Sequence, residues 1–278
     1  MSSLTDGVQI LPATRLRGGS WQELDDGLVV EEPLEIRIGG RRYTATMRTP
    51  GHDLLLARGL LFAEGVIESN DDIEDMTYRT RCRDLTQELV NVVDITLHDE
   101  EGVASHLGER SLISNSSCGL CGKATVDALT AKVTPLPDSQ PIPAETLLHL
   151  PDKLQSGQTI FAQTGGSHAA GIFNARGEAL AIFEDIGRHN ATDKAIGCGL
   201  EQGWLPHQGE ESLILLVSGR ASFEILQKAL MARIPIVASV SAVSSLAVEL
   251  AAANNVTLAG FLRPGRLTIY SGESRMKR

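Results

Sequence analysis

No stretch of this 278-residue chain reaches the roughly 18 consecutive apolar residues that a membrane-spanning helix needs. Met1–Thr14 also lacks the basic segment followed by an apolar one that marks a signal peptide. Both absences point to a cytoplasmic protein that is not embedded in a membrane. Long basic blocks are missing too: 25 Lys+Arg are outnumbered by 35 Asp+Glu, for a formal net charge of −10, which argues against non-specific nucleic-acid binding. Neither G-x-x-x-x-G-K-[ST] nor a G-x-G-x-x-G after a strand occurs, so ATP-driven and nicotinamide chemistry have no positive support. The G-x-S-x-G nucleophile elbow is absent as well. Four cysteines do not make a disulfide framework in a reducing cytosol, and no internal repeat or low-complexity tract appears.

Two of those four cysteines stand together. Cys118-Gly119-Leu120-Cys121-Gly122 follows Asn115-Ser116-Ser117, in a segment whose glycines read as an unhindered loop. A thiolate becomes a useful nucleophile when its pKa is lowered, and a neighbouring thiol, backbone N–H groups and Lys123 each act in that direction. The second thiol can also resolve a bond formed at the first sulfur. The alternatives are half of a zinc site or a plain loop. Cys82 and Cys198 stand alone and read as packed or surface thiols.

The composition, 42% hydrophobic and 22% charged, is that of a globular protein, and the length suits one large domain with a smaller one. Alternation on both sides of Gly39-Gly40 predicts a β-hairpin over 34–48. Pro50-Gly51 ends it, Asp53 is a candidate cap, and 54–62 is a helix closed by Gly65. Residues 88–97 read as a strand, and 135–143, with prolines at 135, 137, 141 and 143, as a rigid connector. Beyond Phe161 strands at 169–173, 179–183, 213–217, 236–239 and 256–261 alternate with helices at 191–201, 222–231 and 244–253. The apolar runs at 213–217 and 236–238 suit a largely parallel sheet covered by helices on both faces. The expected division is a small β-rich domain over 1–113 and an α/β domain over 114–278.

Polar clusters fall at the strand ends of the α/β half, where open sheets of this kind place ligands. They are Thr164–His168, Glu184–Asn190, Ser218–Ser222 and Phe261–Arg266. Taken singly, each is more often helix capping or turn chemistry than a ligand contact. Together they gather His189, Arg188, Arg220, Arg263 and Arg266 in an acidic chain, which favours an anion site such as one for nucleotide phosphates. Zinc has a superficial echo in His98-Asp99-Glu100 followed by Cys118-x-x-Cys121, the order seen in zinc deaminases. However, Ser117 rather than proline precedes the first cysteine, and no second C-x-x-C completes a site. No zinc is expected.

Ser117–Gly122, Thr164–Ala170, Glu184–Asn190, Ser218–Glu224 and Phe261–Arg266, in that order, make the chain resemble the formate dehydrogenase accessory sulfurtransferases, the FdhD/NarQ family. The resemblance runs from the N-terminal hairpin almost to the end. Gly166 stands where some members carry a third cysteine, and Val243-Ser244 replaces a common Pro-Thr. The resemblance implies a cytidine deaminase-like three-layer α/β sandwich that works as a homodimer without the deaminase zinc. It implies a sulfur carrier that accepts sulfur from a cysteine desulfurase and passes it to the bis(molybdopterin guanine dinucleotide) molybdenum cofactor of formate dehydrogenase, with GDP as a mimic of that cofactor. Carried over by motif, Cys118 bears the persulfide and Cys121 is its partner. Phe261, Leu262, Arg263, Pro264, Gly265 and Arg266 bind the cofactor, joined by Arg188, with His168 and His189 orienting it or moving protons. A non-catalytic chaperone that binds the same cofactor is the alternative, and a zinc-binding deaminase comes third.

Overall fold

The computed structural model describes residues 7–82, 89–99 and 134–277. The proposed boundary at 113/114 lies outside them. The chain opens with a hairpin of β1 (Val8–Arg17) and β2 (Ser20–Val29), followed by β3 (Glu32–Ile38) and β4 (Arg41–Arg48). β3 and β4 are antiparallel across Gly39-Gly40, both at positive φ (56° and 75°), as the glycine pair predicts. β5 (Ile73–Cys82) and β6 (Leu89–Leu97) complete a four-stranded sheet in the order β4-β3-β6-β5.

Helix α1 (Asp53–Ala63) joins this sheet to the rest of the molecule. Its expected cap is corrected: His52, in a left-handed conformation, is the N-cap residue, and Asp53 is the first helical residue. The Asp53 carboxylate instead takes two bonds from the buried Arg48 guanidinium, at 2.8 and 3.0 Å. Gly65, at φ 71°, closes the helix as expected.

The Pro-rich connector ends in the two-residue strand β7 (Ile142–Pro143), and three short helices follow: α2 (Ala144–Leu148), α3 (Leu150–Ser156) and α4 (Thr159–Thr164). Then follow β8 (His168–Phe173), β9 (Ala179–Asp185), α5 (Arg188–Glu201), β10 (Ile214–Val217), α6 (Phe223–Met231), β11 (Ile236–Ser239), α7 (Ser245–Ala253), β12 (Thr257–Arg263), β13 (Arg266–Ser271) and β14 (Met276–Lys277).

The larger sheet has the order β13-β12-β11-β10-β8-β9. It is mixed rather than largely parallel. Only β10-β11 and β11-β12 are parallel, because the helix crossovers fall there, whereas tight turns at 174–177 and 264–265 fold β8-β9 and β12-β13 into antiparallel hairpins. β10 and β11 are buried on both faces, as their apolar runs suggest. Leu215, Val217 and Val237 face a core shared with α1, α5, α6, α7 and the four-stranded sheet, while Ile214, Leu216 and Ile236 face one that includes α2 and α3. Helices therefore cover both faces of the sheet.

The approach of α1 to α5 depends on two glycines. A Cβ on Gly59 would lie 2.0 Å from the Asp193 carbonyl oxygen, and one on Gly197 would lie 2.0 Å from that of Leu55. Hydrogen at both positions lets the backbones meet, which fixes where α5 begins relative to the N-terminal sheet. No helix among the described residues is long and apolar enough to cross a membrane.

Candidate functional site

Strand direction gathers four of the five motif segments at one edge of the larger sheet. His168, at the start of β8, pairs with Asp185 at the end of β9, and Ala170 pairs with Val217 at the end of β10. Val217 in turn pairs with Ser239 at the end of β11, and Ala238 with Ala259 of β12. The loops leaving these strand ends are stitched together. Ser239 Oγ donates to the Gly219 carbonyl (2.7 Å), Ala221 N–H to Ala242 (3.1 Å), and Phe261 N–H to Ser241 (2.8 Å).

Part of this edge is closed by its own hydrogen bonds. Asp185, with no exposed surface, is ion-paired to Lys194 Nζ at 2.8 Å and accepts from the N–H groups of Thr49 and Gly187 and from Asn190 Nδ2. Lys194 also donates to the carbonyls of Thr49 and Glu184, and Asn190 Nδ2 donates to the Met47 carbonyl, which ties β4 to the start of α5. Glu184 accepts from the Ile160 and Phe161 N–H groups at the start of α4 and from Ser167 Oγ. In Thr164–His168 the Thr164 hydroxyl donates to the Ile160 carbonyl and Gly165 ends α4 in a left-handed conformation. Of that cluster His168 lies against Gly219 of the Ser218–Ser222 segment.

The rest of the edge is arranged around Gly219, which is itself buried. A Cβ there would lie 3.2 Å from Arg188 Cδ and 3.3 Å from His168 Nδ1, so the absence of a side chain lets these two approach the loop closely. Arg188 is the first residue of α5, and its Nε is buried without a hydrogen-bond partner, a state shared among the described residues only by Arg58 Nε and Asn70 Oδ1. Burial pushes the His168 pKa down, and the positive charges of Arg188 and His189 push it further, against a smaller opposing pull from Asp185. The His168 ring is therefore neutral at neutral pH. His189 Nε2 lies 2.7 Å from Glu224 Oε2 and 3.5 Å from Ser222 Oγ.

Two helix N-termini meet at this point. Gly187 precedes α5 and Ser222 precedes α6, and neither supplies a side-chain cap, whereas Ser244 caps α7 through the Ala247 N–H. Uncapped N–H groups and the positive ends of two helices, beside an arginine with an unmet donor, suit a phosphate or another oxyanion.

The Phe261–Arg266 segment forms the neighbouring rim. β12 runs two residues past the expected end, and Arg263 pairs across the Pro264-Gly265 turn with Arg266; Gly265 has φ 72°. Phe261 is 40% exposed at φ 53°, and Leu262 is buried in the core. Arg263 Nη1 donates to the carbonyls of Val240 and Leu262, which ties the turn to the loop after β11. Arg220 and Arg266 are exposed, and neither is ion-paired to a carboxylate among the described residues. Cys118 and Cys121 lie outside the described residues. Cys198 is half-buried in α5, where burial pushes its thiol pKa up, so it lacks the features of an activated nucleophile. His98 is exposed just beyond β6, and no cluster of metal-ligating side chains occurs among the described residues.

Sequence reasoning missed Glu224. It belongs to the Ser218–Glu224 motif, but a carboxylate in the first turn of a helix reads as a partner for the helix dipole, and only the contact with His189 reveals more.

Fold and edge together define a mixed α/β protein whose larger sheet gathers neighbouring strand ends and two helix N-termini at one rim. Within that class the chain belongs to the FdhD/NarQ family, whose model matches residues 29–277. Among curated relatives, the sulfur carrier protein FdhD of Streptomyces avermitilis is 46% identical over 266 residues, covering 94% of this chain and 93% of that protein. The protein of the same name from Mycolicibacterium paratuberculosis is 46% identical over 265 residues, covering 95% and 96%. The crystal structure of a formate dehydrogenase accessory protein from Desulfotalea psychrophila has the same fold, with a TM-score of 0.73 at 21% identity, covering 97% of this chain and 99% of that one.

Proposed function

We propose that the chain is a sulfur carrier for formate dehydrogenase, a sulfurtransferase working through a persulfide on Cys118. The reading is supported by relatives of 46% identity that bear the name sulfur carrier protein and by the C-x-x-C in this sequence. The observation of the molecule that carries it furthest is the convergence of two uncapped helix N-termini on Arg188, a place suited to the phosphates of a nucleotide-bearing cofactor. The Cys118 thiolate attacks the terminal sulfur of a cysteine desulfurase persulfide. The new S–S bond forms on Cys118, the old one breaks, and the desulfurase leaves as its thiolate. The Cys121 thiolate then attacks Cys118 Sγ, closing a Cys118–Cys121 disulfide and releasing the outer sulfur at the sulfide level to its substrate, the bis(molybdopterin guanine dinucleotide) cofactor held by its nucleotide ends; a cellular thiol afterwards reduces the disulfide. Arg188, Arg263 and Arg266 neutralise its phosphates, Phe261 shapes the rim while buried Leu262 anchors that segment in the core, and neutral His168 offers an uncharged imidazole to the ligand. Cys121 serves as the second thiol.

The cytidine deaminase-like assignment of the sandwich, the homodimer and the cytoplasmic location belong to the same proposal. Intact-mass spectrometry after incubation with a cysteine desulfurase and cysteine tests its centre. One added sulfur is expected on wild-type protein and none on Cys118→Ala, which also fails to mature formate dehydrogenase. Cys121→Ala is expected to be impaired less, because an external thiol can replace a resolving one. Full maturation by Cys118→Ala would overturn the relay and leave the cofactor-binding chaperone.

A further inference from the structure

Glu224 places a carboxylate between the two helix N-termini to which the proposed function assigns a phosphate. Simple electrostatics would count it a defect, since a like charge beside a phosphate weakens binding. Its contacts give it another role. Glu224 is the second residue of α6 and His189 the second of α5, and Oε2 accepts from His189 Nε2 at 2.7 Å. One helical turn further along, Asp193 of α5 and Lys228 of α6 are ion-paired at 2.6 Å. The two contacts clamp α5 against α6 at successive turns, so the His189 ring is gripped from a rigid neighbour rather than by a mobile surface side chain. Hydrogen bonding from His189 pulls the Glu224 carboxyl below its usual range against the opposing effect of burial, so the acceptor is a carboxylate at neutral pH.

A hydrogen bond at one imidazole nitrogen decides what the other can offer. With Nε2 committed to Glu224, Nδ1 is the nitrogen that His189 has left for a ligand. Ser222 Oγ, 3.5 Å from Nε2, is the N-cap hydroxyl of α6 and makes no capping bond.

Resting on the reading of this edge as a phosphate site, we propose that Glu224 is its positioning residue. It fixes the His189 ring between the N-termini of α5 and α6 with Nε2–H donating to the carboxylate, and the imidazolium form donates its Nδ1–H to the bound phosphate. Glu224 thereby strengthens phosphate binding despite its own charge.

The sign of the effect separates this role from electrostatics. GDP and inorganic pyrophosphate are titrated calorimetrically into the full chain as wild type, Glu224→Ala and Glu224→Gln. Positioning predicts that Glu224→Ala binds both probes about tenfold more weakly, and that Glu224→Gln, which keeps an acceptor oxygen, recovers most of the loss. Charge repulsion alone predicts that both variants bind more tightly. Nitrogen-15 spectra of the imidazole rings supply a second readout that needs no ligand. In wild-type protein at neutral pH, His189 Nε2 is expected to carry a proton, and the glutamine variant to keep that pattern. A His189 ring protonated at Nδ1 alone, or both variants binding at least as tightly as wild type, overturns the proposal and leaves the phosphate site standing. Wild-type protein that binds neither probe overturns the site and the proposal together. Should Glu224→Ala not fold, as far-ultraviolet circular dichroism would reveal, the glutamine variant and the ring spectra decide: glutamine binding tighter than wild type, or the wrong tautomer, overturns it.

Discussion

Arg48 and Lys194 on one side, and Arg188 and Arg266 on the other, are cations of one protein in opposite circumstances. Arg48, with no exposed surface, meets Asp53 through two nitrogens and Glu32 through a third. Lys194, 1% exposed, meets Asp185 and two backbone carbonyls. Arg188 and Arg266 face no carboxylate within ion-pairing distance among the described residues, and Arg188 keeps a buried donor unmet. A charge taken out of water must be matched or it destabilises the fold. The matched cations therefore belong to the structure, whereas exposed Arg266 keeps its water and Arg188, at the start of α5, holds one buried donor in reserve. The Glu184–Asn190 segment divides along the same line: Glu184, Asp185 and Asn190 turn inward to saturated bonds, while Arg188 and His189 line the rim.

The sharpest way to break this division is to remove a matched cation. Lys194→Met leaves the Asp185 carboxylate buried without its ion pair and is expected to lower unfolding free energy by about 3–5 kcal/mol. Chemical denaturation measures it, and a loss below about 1 kcal/mol would show that the pair is not structural. Arg188→Ala should do the opposite: little change in stability, but GDP bound roughly ten- to a hundredfold more weakly, since hydrogen bonds to charged groups are worth about 1.5–3 kcal/mol. Equal GDP affinity in wild type and variant would remove Arg188 from the site. Arg263→Ala should fall between the two. Its guanidinium already donates to Val240 and Leu262, so the variant loosens the turn as well as weakening GDP binding. Arg266→Ala should weaken binding without that effect on the turn, and calorimetry beside thermal melts separates them.

How much of this could be read from the sequence follows from burial. The buried strands β10 and β11 and the glycine-turned β3-β4 hairpin were legible because continuous apolar runs and Gly39-Gly40 leave little choice. The β1-β2 hairpin was not, since nearly every residue of β1 is exposed and no alternation between inside and outside marks it. α2 to α4 are five to seven residues long, too short for a helical period to show. β13 carries a readable signal in half-buried Leu267, Ile269 and Ser271 alternating with exposed neighbours, a short alternation that directly follows the Pro264-Gly265 turn. At the site, the motifs gave Arg188, His168 and His189. Their sequence could not reveal that Asp185 and Glu184 are consumed internally, because that depends on Thr49, Lys194 and the start of α4 arriving from elsewhere in the chain.

Asp193 gives the finest test, because its match with Lys228 is incomplete. The carboxylate is 2% exposed, and burial, only partly offset by Lys228 at 2.6 Å, raises its pKa to about 6. In the unfolded chain an aspartate titrates near about 3.9. Between these values the folded state binds more protons than the unfolded one, so this group makes stability fall as pH rises through that window and contributes no further change above it. Asp193→Asn cannot titrate and should lack that slope. The stability of wild type minus that of the variant should therefore decrease from about pH 4 to pH 6 and level off beyond, a comparison in which the other carboxylates cancel. Denaturant midpoints at half-unit pH intervals would show it. A difference that rises with pH instead would mean that Lys228 outweighs desolvation, and Asp193–Lys228 would then join Asp185–Lys194 among the fully matched pairs.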